Sequence, residues 1–246
     1  MKTKLRKPKI ALPKGRMVLN AYDVFDRLGF NSKELDREVD KPEWRSSGAK
    51  LEDNFYEGEK VDFIIPKASD VAGYVDEGIA AMGILGKDGK DEYALEGNGR
   101  GRGYISAPVA KCFRFPEMRF TLIGRKEPEE YKRVCQLMKE NKDIIVATSC
   151  PKQAKAFLLR NYPEYRGEFI DMMTLGGEVE LAVRTGRADI GFELVSSGKS
   201  VLRNGLCSYI PQKKSEEIPV LQIINRAARD NNQQFAELFD KIEKGV

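Results

Sequence analysis

Residues 144–158 read IIVATSCPKQAKAFL, an apolar run that leads directly into a stretch with apolar residues at helical spacing. Thr148 or Ser149 is suited to cap that helix, and Pro151 fits its first turn. The pattern predicts a buried strand followed immediately by a helix. A strand that continues into a helix is the repeating unit of an α/β protein.

The same alternation recurs on both sides of this stretch. Other strand-like runs lie at residues 10–12, 61–65, 81–85, 119–123, 169–173, 189–195 and 220–224. Helical periodicity follows several of them, at residues 17–28, 69–78, 177–186 and 235–242. The alternation predicts an α/β fold with parallel or mixed sheets. Two strand-rich blocks, residues 1–85 and 119–221, indicate two lobes.

Composition limits the chemistry. The chain has 246 residues, 41% of them apolar and 33% charged, with a net charge of +4 and no histidine. Serine–histidine–aspartate triads, histidine general bases and histidine-ligated zinc are therefore excluded. The chemistry must use carboxylates, lysine, arginine, hydroxyls, backbone amides or a bound ion.

Cysteine spacing and hydropathy indicate the compartment. Four cysteines are scattered without a C-x-x-C pair, which predicts reduced, buried thiols. The basic start is not followed by a signal-peptide apolar core, and no run of 18 apolar residues occurs. We expect a cytoplasmic protein with no membrane partner.

A candidate phosphate site lies at residues 12–16, LPKGR, where a strand turns into a helix. Gly15 permits close approach of a ligand to the backbone, and Lys14 and Arg16 supply charge next to a helix N-terminus. An ordinary turn with two solvated cations explains the same residues.

A second candidate lies at residues 196–200, SSGKS, between a buried strand and a helix. Hydroxyls, a glycine and consecutive amides suit a phosphate cradle, although a capped turn is the simpler explanation. The Gly-Lys-Ser ending does not complete a Walker A motif, because that motif requires glycine where Glu193 stands.

Two carboxylates precede that loop. Asp189 and Glu193 are four residues apart in the predicted strand, so both are expected on one face. Beside a phosphate cradle, such a pair suits the hydroxyls of a sugar and tolerates a divalent cation.

A glycine-rich stretch, GNGRGRG, occupies residues 97–103. It suits either a flexible surface insertion or a segment that wraps a phosphate backbone. RNA binding through Arg100 and Arg102 is the corresponding functional hypothesis.

Taken together, these segments resemble the ATP phosphoribosyltransferase family. The segments that carry the resemblance are residues 10–16 (IALPKGR), 67–71 (KASDV), 83–88 (GILGKD), 146–149 (VATS), 177–182 (GEVELA) and 189–206 (DIGFELVSSGKSVLRNGL). Matches in order from about residue 10 to 206 are more specific than any single motif.

The resemblance implies a fold of two α/β lobes with a cleft between them, like a type II periplasmic binding protein. Lobe I would comprise residues 1–108 and 222–246, and lobe II residues 109–221. The chain looks like the short form of the enzyme, which uses a separate regulatory subunit similar to a histidyl-tRNA synthetase.

The reaction implied by the resemblance is attack of N1 of ATP on C1 of phosphoribosyl pyrophosphate, with Mg²⁺ present. The resemblance assigns the phosphoribosyl pyrophosphate site to Asp189, Glu193, Ser196, Ser197, Gly198, Lys199 and Ser200. It assigns pyrophosphate and ATP phosphates to Lys14, Gly15, Arg16, Lys67 and Glu180. No residue is assigned as a general acid or base, and no metal ligand is assigned.

Some positions depart from the family pattern. Glu193 stands for a usual aspartate, Lys67 for an arginine, Ala81 for an aspartate and Leu85 for a small or hydroxylated residue. The family also uses an arginine after the first helix, for which Arg37, Arg45 and Lys50 are candidates.

Further partners and alternatives complete the expectation. We expect a homodimer, a regulatory subunit and no nucleic acid. There are two alternative functions. One is a non-catalytic regulatory module that binds a nucleotide or phosphate, and the other is a phosphoribosyltransferase that uses a different base.

Overall fold

A computed structural model describes residues 7–15, 17–39, 55–97, 101–209 and 218–245. Within these residues the strands are β1 (Lys9–Ala11), β2 (Phe55–Glu57), β3 (Asp62–Ile64), β4 (Met82–Gly86), β5 (Tyr104–Pro108), β6 (Arg119–Arg125), β7 (Ile144–Thr148), β8 (Ile170–Thr174), β9 (Ile190–Val195), β10 (Leu206–Ser208) and β11 (Val220–Asn225). The α-helices are α1 (Val18–Arg27), α2 (Lys33–Val39), α3 (Val71–Asp76), α4 (Lys87–Leu95), α5 (Pro128–Lys139), α6 (Pro151–Asn161), α7 (Val179–Arg184), α8 (Lys199–Arg203), α9 (Arg226–Asn231) and α10 (Gln233–Lys244).

The chain divides into two compact units, Met1–Pro116 with Pro219–Val246, and Glu117–Ile218. The sequence placed these divisions at 108/109 and 221/222. Residues 109–116 remain with unit 1 because Ala110 N–H donates to Ile242 O at 3.1 Å and Phe113 is buried. The second division falls before β11, since the whole of that strand pairs within the sheet of unit 1.

Unit 1 is built on a six-stranded mixed sheet in the order β2-β3-β1-β4-β11-β5. The strand β1 lies parallel to β3 and β4, whereas β11 runs antiparallel to β4 and β5. One face is covered by α3 and α4. On the other face, α1 packs its Tyr22 ring edge-on against Phe63, with ring centroids 5.4 Å apart. The carboxyl ends of β1, β3 and β4 therefore share one edge.

Unit 2 is built on a five-stranded sheet in the order β10-β6-β9-β7-β8. Alternate residues of each strand enter two different cores. Leu122 and Phe192 pack with α5 and α6, whereas Ile123 packs with α7 and α8 on the opposite face. Because β7, β8 and β9 are parallel, the loops that follow them lie at one edge.

The sequence missed several elements. The helix α4 reads KDGKDEYAL and has no fully buried residue, so it lacks the apolar stripe by which a helix is recognised. It therefore remained unassigned, as did β5, α2, α5 and β10. The prediction of buried cysteines was wrong, since Cys112 is exposed and Cys135, Cys150 and Cys207 are partly exposed; all four are free thiols.

None of the helices in the described part of the chain is long and apolar enough to cross a membrane.

We expect Gly191→Ala to lower the free energy of unfolding by about 1–3 kcal/mol, as overpacking of a core does. A methyl group at this position would lie 2.7 Å from Ile123 Cγ1 and 2.8 Å from Val179 Cγ1, so β9 and α7 would have to separate. Urea unfolding followed by circular dichroism measures the change. Gly176→Ala is the control, because nothing lies within 4 Å of its new methyl group. Equal stability of both variants would contradict the expected packing.

Candidate functional site

In unit 1, two predicted phosphate ligands lie together at the carboxyl edge of the sheet. Lys14 N–H donates to Pro66 O at 2.8 Å, which places Lys14 and Gly15 beside the exposed Lys67. Gly15 has φ of +103°, a conformation that a side chain would strain. Arg16 lies outside the described residues. The edge therefore carries two lysines on adjacent loops that follow β1 and β3.

The next loop along this edge already holds a carboxyl group of the chain itself. The carboxylate of Asp88 accepts backbone hydrogen bonds from its own N–H and that of Gly89, in the first turn of α4. Burial raises the pKa of this carboxyl, although these hydrogen bonds oppose the rise. The carboxylate also fills the space next to Gly86. We infer that the start of α4 is closed to a ligand phosphate by this aspartate.

In unit 2, the predicted phosphate loop follows β9 and leads into α8. Gly198 has φ of +67°, which favours glycine, and Lys199 N–H approaches Ser197 Oγ at 3.5 Å. Four side chains of the loop are exposed, those of Ser196, Ser197, Lys199 and Ser200. Val201, which is 5% exposed, fixes α8 in the core. The first N–H groups of a helix have no acceptor within it. The loop thus offers hydroxyls, amides and one ammonium group to an anion.

Glu193 lies on the same sheet face as this loop, directly across from Thr121 of β6. Its Oε1 accepts from Leu194 N–H at 3.3 Å, so the side chain bends back towards its own strand. The Thr121 hydroxyl is hydrogen-bonded to that of Ser208. The half-buried Glu180 lies in the first turn of α7, the helix whose Val179 contacts Gly191 on this face. Glu193, Glu180 and the loop therefore share one face of unit 2.

The structure does not bring Asp189 to the loop. Asp189 precedes the first residue of β9, whereas Ser196 follows the last, so the strand separates them by roughly 20 Å. Asp189 Oδ1 accepts from Arg133 at 2.6 Å, and its Oδ2 accepts from Ile145 N–H at 2.9 Å. Both oxygens are thus engaged at the opposite edge of the sheet. A role of Asp189 in holding a ribose hydroxyl is not supported by this placement.

The Asp189 contact extends into an ion-pair chain. Arg133 also donates to Glu130 at 3.1 Å, and Arg125 donates to the same carboxylate at 2.7 Å. The hydrogen bond to Asp189 raises the pKa of Arg133, and the bond from Arg125 lowers the pKa of Glu130. Sequence reasoning missed this chain because Asp189 is distant in sequence from Arg133, its partner. It joins α5 to the starts of β7 and β9.

The glycine-rich stretch is anchored by an acid. Asp76 accepts from Gly101 N–H at 2.9 Å and from Gly103 N–H at 2.6 Å, and Tyr93 donates to it at 3.0 Å. These two amides already hold a carboxylate, so they do not face a nucleic-acid phosphate. Residues 98–100, including Arg100 of the RNA-binding hypothesis, lie outside the described residues.

Two further departures from the family pattern, Ala81 and Leu85, lie beside and within β4 of unit 1. Leu85 is 1% exposed and packs in the core of unit 1, and Ala81 donates its N–H to Lys9 O at 2.8 Å. Arg37 lies on α2, whereas Arg45 and Lys50 lie outside the described residues.

Glycine turns, hydroxyls, cations and a carboxylate stand at the carboxyl ends of strands in this α/β protein of two units. This arrangement is typical of the class of proteins that bind phosphorylated sugars or nucleotides. The profile of the HisG family, ATP phosphoribosyltransferase, matches residues 67–244. An ATP phosphoribosyltransferase of Caldicellulosiruptor saccharolyticus is 32% identical over 237 residues, covering 96% of this chain and 98% of that protein. The chain belongs to the ATP phosphoribosyltransferase family, which confirms the resemblance seen in the sequence.

Solved structures agree on the fold. A chain of the ATP phosphoribosyl transferase (HisG:HisZ) complex from Thermotoga maritima superimposes with a TM-score of 0.63 at 19% identity, covering 97% of this chain and all of that one. The periplasmic aliphatic sulphonate binding protein SsuA from Escherichia coli gives a TM-score of 0.55 at 12% identity, over 97% of this chain and 72% of that one. The predicted α/β fold of the periplasmic-binding-protein kind is therefore confirmed.

We expect Asp189→Ala to destabilise the protein by about 1–3 kcal/mol, because Arg133 and Ile145 N–H both lose an acceptor. Thermal unfolding by calorimetry measures the effect. Asp171→Ala removes an exposed carboxylate from β8 and is the matched control, with an expected change within about 0.5 kcal/mol. An Asp189→Ala protein as stable as the control would show that the ion-pair chain does not support the sheet.

Proposed function

We propose that this chain transfers the phosphoribosyl group of phosphoribosyl pyrophosphate to N1 of ATP, the first step of histidine biosynthesis. The observation that carries the proposal is the β9–loop–α8 arrangement, with Glu193 and the Ser196–Ser200 loop on one face, in a member of this family. A carboxylate beside a phosphate cradle matches a ligand that carries a sugar diol next to a phosphate.

The chemistry fits a chain without histidine. The N1 lone pair of adenine is available at neutral pH, so no general base is needed to generate the nucleophile. A bond forms between N1 and C1 of the ribose, and the C1–oxygen bond breaks with its electron pair moving to pyrophosphate. Alignment of the two substrates and neutralisation of the departing anion are the contributions left to the protein.

In unit 2, Glu193 accepts hydrogen bonds from the ribose hydroxyls. Glu180, which the resemblance assigned to pyrophosphate and ATP, lies on the same face. The 5′-phosphate binds the amides and hydroxyls of the loop formed by Ser196, Ser197, Gly198, Lys199 and Ser200. Asp189 is left out of this site because Arg133 and Ile145 occupy its oxygens. The exposure of the loop hydroxyls supports this assignment.

In unit 1, Lys14 and Lys67 bind phosphates of ATP or pyrophosphate, and Gly15 lets the ligand approach the backbone. Arg16 belongs to the same assignment by sequence. The hydrogen bond from Lys14 N–H to Pro66 O supports it, because it places the two loops side by side. Lysine contributes charge here without the bidentate geometry of arginine.

Mg²⁺ accompanies the substrates in this proposal. Across residues 7–15, 17–39, 55–97, 101–209 and 218–245, no three cysteine, aspartate or glutamate side chains lie close enough together to hold a metal ion. Phosphate oxygens are hard ligands that bind Mg²⁺ well, so the ion is expected to arrive on the pyrophosphate groups.

Assembly and location are further parts of the proposal. We infer a homodimer, a separate regulatory subunit and a cytoplasmic location for this biosynthetic step. The regulatory subunit is supported by the Thermotoga maritima protein of similar fold, which was solved as a HisG:HisZ complex.

We expect Glu193→Ala to raise the Kd for phosphoribosyl pyrophosphate by roughly 10- to 100-fold, the range for loss of a hydrogen bond to a charged group. Calorimetry with the isolated chain and Mg²⁺ measures it directly. Glu164→Ala, which removes an exposed carboxylate elsewhere in unit 2, is the control and should bind like the wild type.

Two results would contradict the proposal. If the wild type does not bind phosphoribosyl pyrophosphate at millimolar concentration, the alternative of a module with another ligand takes its place. If the wild type binds this ligand but releases no pyrophosphate with ATP even in the presence of its partner, the chain is either a non-catalytic module or a transferase that uses a different base.

We also expect turnover to depend on the regulatory subunit. Titration of the chain with a histidyl-tRNA-synthetase-like protein from the same genome should raise kcat for pyrophosphate release by roughly 5-fold or more, which corresponds to a coupling free energy of at least about 1 kcal/mol. The rise should saturate at a fixed subunit ratio. Full activity of the isolated chain, unchanged on addition of that protein, would show that no such subunit is needed.

A further inference from the structure

One arginine of unit 2 stands at the edge of the sheet that carries the Ser196–Ser200 loop. Arg119 is the first residue of β6, and β6 runs antiparallel to β9. The start of β6 therefore lies beside the end of β9. In the ladder, Arg119 is directly opposite Val195, the residue that precedes the loop.

The side chain of Arg119 lies on the same face as the loop. Phe120 and Leu122 pack with α5 and α6, so Arg119 and Thr121 belong to the opposite face, which carries α7 and α8. The loop folds back over this face, since a methyl group on Gly198 would lie 3.9 Å from Val195 Cγ1. Directly opposed residues of an antiparallel pair have Cβ atoms about 5 Å apart. Arg119 and the loop glycine thus both lie next to Val195.

The charges of the neighbouring groups indicate a role for Arg119. The loop supplies neutral amides and hydroxyls, with Lys199 as its own cation. Glu193 is the diagonal cross-strand neighbour of Arg119, within reach of a long side chain. Its carboxylate repels a phosphate bound in the loop, and a guanidinium between the two anions offsets that repulsion.

The ion pair between Arg119 and Glu117 does not bar this role. The guanidinium lies 3.6 Å from Glu117 Oε2, and the two side chains are 37% and 74% exposed. An ion pair this open contributes little to stability, so it does not by itself hold the guanidinium away from a phosphate.

We propose that Arg119 is a substrate-binding residue, which binds the phosphate held by the Ser196–Ser200 loop and shields it from Glu193. This inference rests on the proposed function, because it takes that phosphate to be the 5′-phosphate of phosphoribosyl pyrophosphate. Nothing in the sequence motif marks Arg119, which lies 77 residues before Ser196 (196 − 119); only the register of β6 and β9 brings it to the loop.

Calorimetry on the full chain with Mg²⁺ tests the inference with two ligands, phosphoribosyl pyrophosphate and ribose 5-phosphate. We expect Arg119→Gln to raise Kd for both ligands by roughly 10- to 100-fold, because both carry the loop-bound phosphate. Arg119→Lys keeps the charge but not the planar fork of the guanidinium. Its Kd values should therefore lie between those of the wild type and those of Arg119→Gln. Arg184→Gln, which removes an exposed arginine from the last turn of α7, is the control and should bind both ligands like the wild type.

The outcomes separate the inference from the proposed function. Unchanged binding of both ligands by a folded Arg119→Gln protein, checked by circular dichroism, would overturn the inference alone. Weaker binding of phosphoribosyl pyrophosphate with unchanged ribose 5-phosphate would also overturn it, because Arg119 would then contact the pyrophosphate. A wild type that binds neither ligand would refute the proposed function itself.

Discussion

The strand β9 is hydrogen-bonded on both sides, in parallel to β7 and antiparallel to β6, and the arrangement of unit 2 depends on that double pairing. Its register with β6 sets Glu193 opposite Thr121 and Val195 opposite Arg119. Its register with β7 sets Ile190 opposite Val146. A shift of one residue would turn every side chain of β9 to the other face. Burial of the core residue Phe192 therefore also fixes the face on which the proposed site residue Glu193 lies.

The two acids at the ends of β9 show how position decides the role of a carboxylate. Asp189, at the start, accepts from Arg133 and from a backbone amide and so joins α5 to the sheet. Glu193, near the end, lies at the edge that carries the loops. In α/β sheets ligands bind beyond the carboxyl ends of the strands, so only the second acid is at a ligand-binding edge. Strand direction alone distinguishes the two, since their residue types do not.

Other acids decide which amides remain available to a ligand. Asp88 occupies the first turn of α4, and Asp76 occupies the amides of Gly101 and Gly103. A backbone N–H that donates to a carboxylate of the chain is not available to donate to the phosphate of a ligand. Glycine-rich sequence is therefore a poor indicator of phosphate binding by itself. The Ser196–Ser200 loop differs because its serines are exposed.

The sequence predicted most of the strands that form the two sheets, because their apolar runs are short and bounded. The helix α4 was missed because none of its residues is fully buried, and α5 was missed because charged residues interrupt its apolar positions. The loops at Lys14 and Ser196 were predicted from residue types that bind phosphate in any fold. The spacing of Asp189 and Glu193 was misleading, since a strand that begins at Ile190 places its ends at opposite edges. The position of Arg119 opposite Val195 could not be predicted, because the local pattern of residues does not show the register between strands that are distant in sequence.

The lack of histidine is consistent with a proposed site that uses the charges of lysine, arginine and glutamate side chains. Lysine and arginine side chains ordinarily remain charged across the physiological range, and glutamate side chains ordinarily remain ionised there. In the proposed reaction the substrate brings its own lone pair and its own leaving anion, so no group of the site has to gain or lose a proton. What such a site must control is the position of each charge. The sheet provides that control, since it fixes Glu193, the loop and Arg119 at successive places along one edge of unit 2.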